Sequence, residues 1–319
     1  MRLVMMGTGT FAEPTFEALI ASRHEVAGLV TNPDRPSGKE REMLRGMKKI
    51  ALAHDIPVFQ PESINTPEGI AGLQVFQPEL LVVAAYGQIL SKEVLSVAPH
   101  GGINVHASLL PKYRGAAPIN WAIYHGETRT GVTIIKMSVR MDAGDMLMQE
   151  AIDIGPEETA GELQVRLARL GAKLALETID RIEKGTAHGV PQDQKLVTKA
   201  PKLKKEHGLI DWTRTAQQVC NQVRAMQPWP TAYSFLHRAD SPPLRLIVHR
   251  AAATQLATDR QPGCVVIDPR HMNQLLVAAG DNSVVSLLDV QPAGKRRMSA
   301  AEFLCGHPIR SGDRFGGES

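Results

Sequence analysis

The first two-thirds of this 319-residue chain alternates short, continuous apolar runs with amphipathic segments. The apolar runs lack the polar–apolar alternation of half-exposed strands, so we predict that they form buried parallel strands. The predicted strands are Leu3–Met6, Val26–Val30, Leu80–Ala85 and Gly102–Val105. The predicted helices between and after them are Glu13–Ser22, Glu42–Asp55, Pro67–Phe76 and Pro118–His125. This alternation of strands and helices predicts an α/β fold with a doubly wound, mostly parallel sheet.

Two further strands and a long helix are predicted to complete this first part. Thr130–Met137 and Met146–Ile152 are predicted to be strands with alternating burial. Thr159–Lys184 is predicted to be a helix, because leucines recur on one face at spacings of four, three and four. These leucines (Leu163, Leu167, Leu170 and Leu174) are interpreted as core residues.

The composition and the pattern of predicted elements change after this helix. Residues 191–206 are polar, basic and interrupted by Pro201, which is typical of an interdomain linker. From residue 207 onward, short β-rich runs are separated by Gly, Pro and Asp turns, which predicts a small β-barrel. These runs include Leu244–His249, Gly263–Ile267, Gln274–Ala279 and Ser283–Val290. We therefore divide the chain into an α/β domain (residues 1–190), a linker (191–206) and a barrel domain (207–319).

Composition restricts the class of protein further. The hydrophobic share of 43% and charged share of 22% are typical of a soluble globular protein, and no apolar run approaches a membrane span or a signal peptide. Three scattered cysteines predict neither disulfides nor a metal site, so we expect a cytoplasmic protein without a bound metal.

Residues 201–319 carry 15 Lys and Arg against 10 Asp and Glu, so the basic surplus lies in the second part. Phosphate contact and a solvated surface both fit this surplus.

A glycine motif follows the first predicted strand. Gly7-Thr-Gly-Thr-Phe-Ala12 matches the dinucleotide-binding fingerprint G-x-G-x-x-A. However, the second strand ends in Thr31-Asn-Pro-Asp34, with no acid directly at its end to hold a ribose. NAD binding and a purely structural strand-to-helix turn therefore both remain open for this motif.

Three polar residues follow or end predicted strands. Asn104 and His106 are two residues apart, so their side chains point the same way on an extended strand. In an open α/β sheet, sites form beyond the carboxyl ends of the strands. Asp142 lies between the two later strands, where a turn aspartate is an equally simple interpretation. An amide donor, an imidazole and a carboxylate together suit acyl transfer without a covalent enzyme intermediate.

A long motif around these residues resembles the 10-formyltetrahydrofolate-dependent formyltransferases. It reads Asn104-Val-His-Ala-Ser-Leu-Leu-Pro-Lys-Tyr-Arg-Gly-Ala-Ala-Pro118 and continues as Thr130-Gly-Val-Thr133 and Asp142-Ala-Gly-Asp-Met146. Within that family the chain is similar to the enzymes that act on methionyl-tRNA, and the likeness covers nearly its whole length. Supporting stretches in the second part are Gly208-Leu-Ile-Asp-Trp212 and Gln227-Pro-Trp-Pro-Thr-Ala-Tyr233.

The resemblance implies a Rossmann-like catalytic domain followed by an OB-fold-like barrel. It implies Asn104, His106 and Asp142 as catalytic residues, 10-formyltetrahydrofolate as the formyl donor, and initiator methionyl-tRNA as the acceptor of a monomeric enzyme. The residues expected to bind folate are Ala85, Tyr86, Gly87, Gln88, Ile89, Ser108, Leu109, Leu110 and Pro111. The residues expected to bind tRNA are Arg35, Lys39, Arg41, Arg45, Lys202, Lys204 and Lys205. Glutamates are interleaved with the first four, which departs from the compact basic loop that family members usually carry.

Four alternative functions remain open on the sequence. A formyltransferase for nucleotide-linked amino sugars and a formyltetrahydrofolate hydrolase would share the Asn–His–Asp chemistry. An NAD-dependent dehydrogenase would use the glycine motif alone. An RNA-binding protein without enzymatic activity would leave Asn104, His106 and Asp142 unexplained.

Overall fold

The computed structural model describes residues 1–34, 40–239, 241–271 and 273–318, with the backbone alone for residues 40–45. The chain forms two compact units. The first comprises Met1–Pro118, Arg129–Asp153 and Leu163–Pro201. The second comprises Ile119–Thr128, Ile154–Glu162 and Lys202–Ser319. No helix in the described part of the chain has both the length and the apolarity needed to cross a membrane.

The first unit is built on a seven-stranded sheet. Its strands, including a separate two-stranded ladder, are β1 (Arg2–Gly7), β2 (Glu25–Val30), β3 (Val58–Phe59), β4 (Leu80–Ala84), β5 (Gly102–His106), β6 (Arg114–Gly115), β7 (Arg129–Lys136), β8 (Met146–Asp153) and β9 (Lys199–Ala200). The sheet order is β3-β2-β1-β4-β5-β7-β8, and β6 pairs separately with β9. The first five strands are parallel, whereas β7 runs antiparallel to both β5 and β8.

Helices connect the parallel strands, because parallel neighbours need a crossover connection of about a dozen residues or more. The helices of the chain are α1 (Glu13–Ile20), α2 (Glu40–Ala53), α3 (Pro67–Gln74), α4 (Lys92–Leu95), α5 (Pro118–Tyr124), α6 (Ala160–Glu183), α7 (Ala216–Ala225) and α8 (Ala300–Gly306). Pro67 begins α3 directly after Thr66, whose side chain accepts a hydrogen bond from the Gly69 N–H. A proline at that position loses nothing, because the first N–H groups of a helix have no partner within it.

The core of the first unit follows the predicted apolar pattern. Residues of β1 and β4 are buried on both faces of the sheet, as predicted for inner parallel strands. The leucine face of α6 is confirmed at Leu163, Leu167 and Leu174, which are buried, whereas Leu170 is only half-buried. The prediction of alternating burial is wrong for β7, whose six inner residues Thr130–Ile135 are all buried, and for β8, which is half-buried along most of its length. The reason is that both faces of β7 are covered, since α6 packs against one face at Val132 and the loop after β5 covers the other at Thr133.

The second unit is a nearly closed antiparallel barrel. Its strands are β10 (Ala232–Arg238), β11 (Ser241–Ala257), β12 (Val265–Val266), β13 (Leu275–Ala278), β14 (Ser283–Pro292), β15 (Met298–Ser299) and β16 (Arg314–Gly316). The order is β12-β13-β14-β11-β10-β16, and a bridge between Cys264 and Arg314 joins the two ends of this path. The 17-residue β11 has register shifts against β14, and such irregularities let a long strand bend around a barrel. The predicted fold class, a Rossmann-like domain followed by an OB-fold-like barrel, is confirmed.

Candidate active site

The site lies at the carboxyl edge of the large sheet. From β1 the chain proceeds outward to β2 and β3, and it then returns to β4 and β5 on the other side of β1. This reversal of direction leaves a crevice beyond the carboxyl ends of β1 and β4, which is where open α/β sheets bind ligands. The loops that follow β1, β2, β4 and β5 all begin at this edge.

Strand β5 places Asn104 and His106 at this edge. Asn104 pairs with Val83 of β4 on one side and with Ile135 of β7 on the other, so its position is set by both neighbouring strands. His106 is only 5% exposed, and its Nε2 lies 3.0 Å from the carbonyl oxygen of Tyr113. Because a carbonyl can only accept a hydrogen bond, Nε2 carries a proton. The other ring nitrogen, Nδ1, therefore faces the remaining polar group of the site.

That polar group is Asp142, in the connection between β7 and β8. Its Oδ1 lies 3.6 Å from His106 Nδ1 and accepts a hydrogen bond from Asn104 Nδ2 at 3.4 Å. Its Oδ2 accepts a 2.9 Å hydrogen bond from the Gly115 N–H. Asp142 has a φ of 49°, a left-handed conformation that costs energy for a residue other than glycine. The structure thus brings the three residues predicted as catalytic into one cluster.

The loop after β5 is held by a network around Thr133. The Thr133 hydroxyl donates to the Ser108 carbonyl at 2.7 Å and accepts from the Leu110 N–H at 3.1 Å. Gln149 Nε2 donates to the same hydroxyl at 2.8 Å and to the Leu110 carbonyl at 3.0 Å. Of the residues expected to bind folate here, Ser108 and Leu110 are buried, and Leu109 and Pro111 are half-buried. Ser108 Oγ donates to the Lys112 carbonyl at 2.7 Å, so this hydroxyl shapes the loop.

The loop after β4 carries the other residues expected to bind folate. Ala85, Gly87 and Ile89 are exposed, Gln88 is half-buried, and Tyr86 is buried. The Tyr86 ring belongs to a core cluster with Val4, Met6 and Leu81, among others. Burial raises the pKa of Tyr86, whose hydroxyl has no hydrogen-bond partner within the described residues. The loop therefore presents mainly backbone and small or aliphatic side chains to the crevice.

Asn32, at the end of β2, joins three of these loops. Its Nδ2 donates to Thr8 Oγ1 at 3.1 Å and to the Tyr86 carbonyl at 2.7 Å. Its Oδ1 accepts a hydrogen bond from Gln88 Nε2 at 3.2 Å. The loops after β1, β2 and β4 are thus tied together by one side chain.

The backbone geometry after β1 by itself requires the two glycines of the motif. A Cβ atom on Gly7 would lie 2.8 Å from the Ala84 carbonyl oxygen, so glycine is required for the close approach of β1 and β4. Gly9 has a φ of 78°, which glycine adopts without steric cost. The close approach of the two strands accounts for Gly7, and the turn accounts for Gly9, without a nucleotide.

The residues expected to bind tRNA fall into two groups. Arg35 and Lys39 lie outside the described residues, as do the side chains of Arg41 and Arg45. Lys202, Lys204 and Lys205 are exposed at the start of the second unit's last segment. Lys204 lies 3.7 Å from the Glu206 carboxylate, a weak surface ion pair that leaves its position adjustable.

Sequence reasoning missed several groups that build the site. Thr133 and Gln149 hold the loop after β5, and the Tyr113 carbonyl and Gly115 N–H contact His106 and Asp142 through the backbone. Gln192 was included in the predicted linker, although it is buried and its Nε2 donates to the Asp142 carbonyl at 2.8 Å. A backbone contact has no sequence signature, and a glutamine in a polar segment gives no signal of burial.

Comparison with known proteins identifies the family. Residues 1–179 match the formyl transferase family model, and residues 202–308 match the model of the formyl transferase C-terminal domain. The methionyl-tRNA formyltransferase of Alkaliphilus oremlandii is 43% identical over 317 residues, covering 99% of this chain and all of the relative. The methionyl-tRNA formyltransferase of Geobacter sulfurreducens is 44% identical over 317 residues, covering 99% of this chain and 97% of the relative.

A solved structure shows the same fold at much lower identity. It is the N-formyltransferase from Helicobacter canadensis in complex with folinic acid and dTDP-3-aminofucose. The TM-score is 0.65 at 16% identity, with 91% of this chain and 98% of the other covered. On the two family models and the full-length relatives, the chain belongs to the formyl transferase family and, within it, to the methionyl-tRNA formyltransferases.

Proposed function

We propose that this protein transfers the formyl group of 10-formyltetrahydrofolate to the α-amino group of methionine on initiator methionyl-tRNA, as a monomer in the cytoplasm. The observation that carries the proposal is the cluster of Asn104, His106 and Asp142 at the sheet edge, in a chain of this family. These side chains supply a neutral donor, an imidazole and a carboxylate, which are the groups that formyl transfer between two nitrogens requires.

The reaction forms a bond between the methionine nitrogen and the formyl carbon and breaks the bond between that carbon and N10. As the neutral amine adds, negative charge develops on the formyl oxygen, and preorganised donors stabilise it. Asn104 Nδ2 is one donor. His106 Nδ1 is the second when the ring carries a proton on both nitrogens, because the Nε2 proton is already bound to the Tyr113 carbonyl. Asp142 accepts the proton that the amine loses, through a water molecule, and His106 delivers a proton to the leaving N10.

The folate is proposed to bind between the loops after β4 and β5. Ala85, Gly87 and Ile89 are exposed on the first loop, and Leu109 and Pro111 are partly exposed on the second. The buried members of the set (Tyr86, Ser108 and Leu110) support the shape of the two loops. Apolar side chains and backbone groups of this kind suit a flat heteroaromatic ring.

A direct assay decides the acceptor. The protein is incubated with 10-formyltetrahydrofolate and either methionyl initiator tRNA or an amino-sugar nucleotide. We expect formylation of the methionyl-tRNA. Formylation of the amino sugar, or release of formate without transfer, would instead favour one of the two related alternatives.

The proposed contact of three lysines with tRNA phosphates is tested through the salt dependence of the affinity for tRNA. Each lysine that neutralises a phosphate adds about one unit to the slope of log affinity against log salt. Replacing Lys202, Lys204 and Lys205 with Ala should lower tRNA affinity and reduce this slope by up to about three units. The matched control replaces three exposed lysines of the first unit, Lys92, Lys173 and Lys184, and should leave the slope unchanged.

A further inference from the structure

The side chain of Gln192 makes four hydrogen bonds inside the first unit. Its Nε2 donates to the carbonyl oxygens of Asp142 and Gly144, each at 2.8 Å. Its Oε1 accepts from Arg114 Nε at 3.0 Å and from Arg114 Nη2 at 2.7 Å. The residue is 7% exposed, so these partners replace water almost completely.

The chemistry of these partners requires an amide. A primary amide has two N–H donors and an oxygen with two lone pairs, and all four are used here. The opposite orientation of the amide would set its oxygen against two carbonyl oxygens and its NH₂ against a guanidinium. A carboxylate or an apolar side chain of the same size would leave two partly buried carbonyl oxygens without these donors, which is costly.

Gln192 connects the two segments that hold the Asp142 carboxylate. One is the turn of Asp142 itself, where Gln192 binds the main-chain carbonyl of a residue with a φ of 49°. The other is β6, where Arg114 is bound by Gln192 and the next residue, Gly115, donates its N–H to Asp142 Oδ2 at 2.9 Å. Movement of either segment would change the 3.6 Å separation between Asp142 Oδ1 and His106 Nδ1.

We propose that Gln192 is a positioning residue that acts through Asp142. It fixes the carboxylate relative to His106 and Asn104, and it contacts neither the formyl donor nor the acceptor. As a statement about catalysis, this inference rests on the proposed formyl transfer. As a statement about the position of Asp142, it is independent of the reaction.

The kinetic test compares Gln192→Glu with Gln194→Glu. The two changes are chemically identical, but Gln194 is exposed two residues away, and its Nε2 donates to the Gln192 main-chain carbonyl at 3.1 Å. Displacement of a reacting group by about 1 Å can lower a rate by about 10²-fold. We therefore expect Gln192→Glu to lower kcat about 10²-fold with the KM for the folate changed less than about threefold, and Gln194→Glu to resemble wild type. A kcat within about twofold of wild type in folded Gln192→Glu would overturn the proposal.

A double-mutant cycle shows whether Gln192 acts through Asp142. In an Asp142→Asn background, the added change Gln192→Glu should lower kcat less than about twofold, because the group that it positions is already altered. Independent effects that multiply would contradict the proposal. Gln192→Leu, which introduces no charge, repeats the cycle and separates a lost amide from an added carboxylate.

Amide hydrogen exchange at Gly115 tests the position of Asp142 without substrate. This N–H is bound to the Asp142 carboxylate, so its protection should fall about tenfold or more in Gln192→Glu and stay at the wild-type level in Gln194→Glu. If wild type transfers no formyl group but the exchange result holds, the proposed function fails and the positioning role stands. Unchanged protection of Gly115 in folded Gln192→Glu and Gln192→Leu would overturn the positioning role itself.

Discussion

Two buried histidines of the first unit each face an aspartate, in very different surroundings. His106 is 5% exposed and its Nδ1 lies 3.6 Å from Asp142 Oδ1. His24 is 7% exposed and its Nε2 lies 3.2 Å from Asp180 Oδ1. By residue type and distance alone, the second pair is the better candidate for a catalytic dyad.

The partners of the two aspartates separate the pairs. The Asp142 side chain is 12% exposed and accepts hydrogen bonds from neutral donors, the Asn104 amide and the Gly115 N–H. The Asp180 side chain is 42% exposed and pairs with the Arg23 guanidinium at 2.7 Å, which lowers the pKa of Asp180. A carboxylate held by a guanidinium is a poor proton acceptor. Residue type and distance therefore do not identify the pair suited to catalysis, whereas the position in the sheet and the other partners of the aspartate favour His106 and Asp142 for proton transfer.

The largest expected effect is a loss of kcat that distinguishes Asp142 from Asp180. Asp142→Asn and Asn104→Ala should each lower kcat by about 10²–10³-fold, the effect of losing one transition-state contact, while the affinity for folate holds. The matched change Asp180→Asn should leave kcat within about twofold of wild type. Steady-state kinetics with methionyl-tRNA measures all three, and near wild-type turnover of Asp142→Asn would remove the distinction between the pairs.

A second prediction concerns the free energy of unfolding that is lost when the hydrogen bonds of Thr133, in the loop network beside His106 and Asp142, are removed. Thr133 is fully buried, and its hydroxyl serves the Ser108 carbonyl, the Leu110 N–H and the Gln149 amide. Thr133→Val keeps the shape but removes this partner from the Ser108 carbonyl and the Leu110 N–H, while the Gln149 amide keeps its bond to the Leu110 carbonyl. The free energy of unfolding should therefore fall by about 1–3 kcal/mol. Urea denaturation measures the loss, with the exposed Thr128→Val as control. Equal stability of the two variants would show that water replaces the hydroxyl.

The smallest expected effect is the acid dependence of the second pair. The hydrogen bond from Arg23 lowers the pKa of folded Asp180 below its ordinary value, so the unfolded chain binds this proton first as the pH falls. The stabilisation is complete above about pH 4 and is lost as the pH falls through the lowered pKa of the folded state. The effect is small because the side chain is 42% exposed and screened by solvent.

Asp180→Asn tests this acid dependence directly. The variant should lose part of the decrease in unfolding free energy that wild type shows between about pH 4 and pH 2. Urea denaturation at a series of pH values measures the difference. An identical pH dependence in both proteins would mean that the exposed ion pair adds nothing to stability.

Much of the fold could be predicted because it depends on local patterns. The continuous apolar runs at Leu3–Met6 and Leu80–Ala85 correspond to β1 and β4, and the leucine spacing correctly predicts α6. The alternation predicted for β7 was wrong, since α6 covers one of its faces and the loop after β5 covers the other, and neither contact is visible in the local sequence. Short elements such as β6 and β9 were not predicted, because two residues carry no periodicity and their pairing crosses 85 positions from Arg114 to Lys199.

The candidate site divides in the same way. Asn104 and His106 could be placed on one side of a strand end, because the two-residue period of a strand is a local property of the chain. The sequence by itself thus determined the fold class and the family, and it predicted the three residues proposed to be catalytic. Only the tertiary structure decided that the Tyr113 carbonyl holds His106 Nε2, that Asp142 faces Nδ1, and that Gln192 supports Asp142 from 50 residues away. Such contacts join backbone or amide groups that are distant in sequence, so they exist only once the strands have been assembled and water has been excluded.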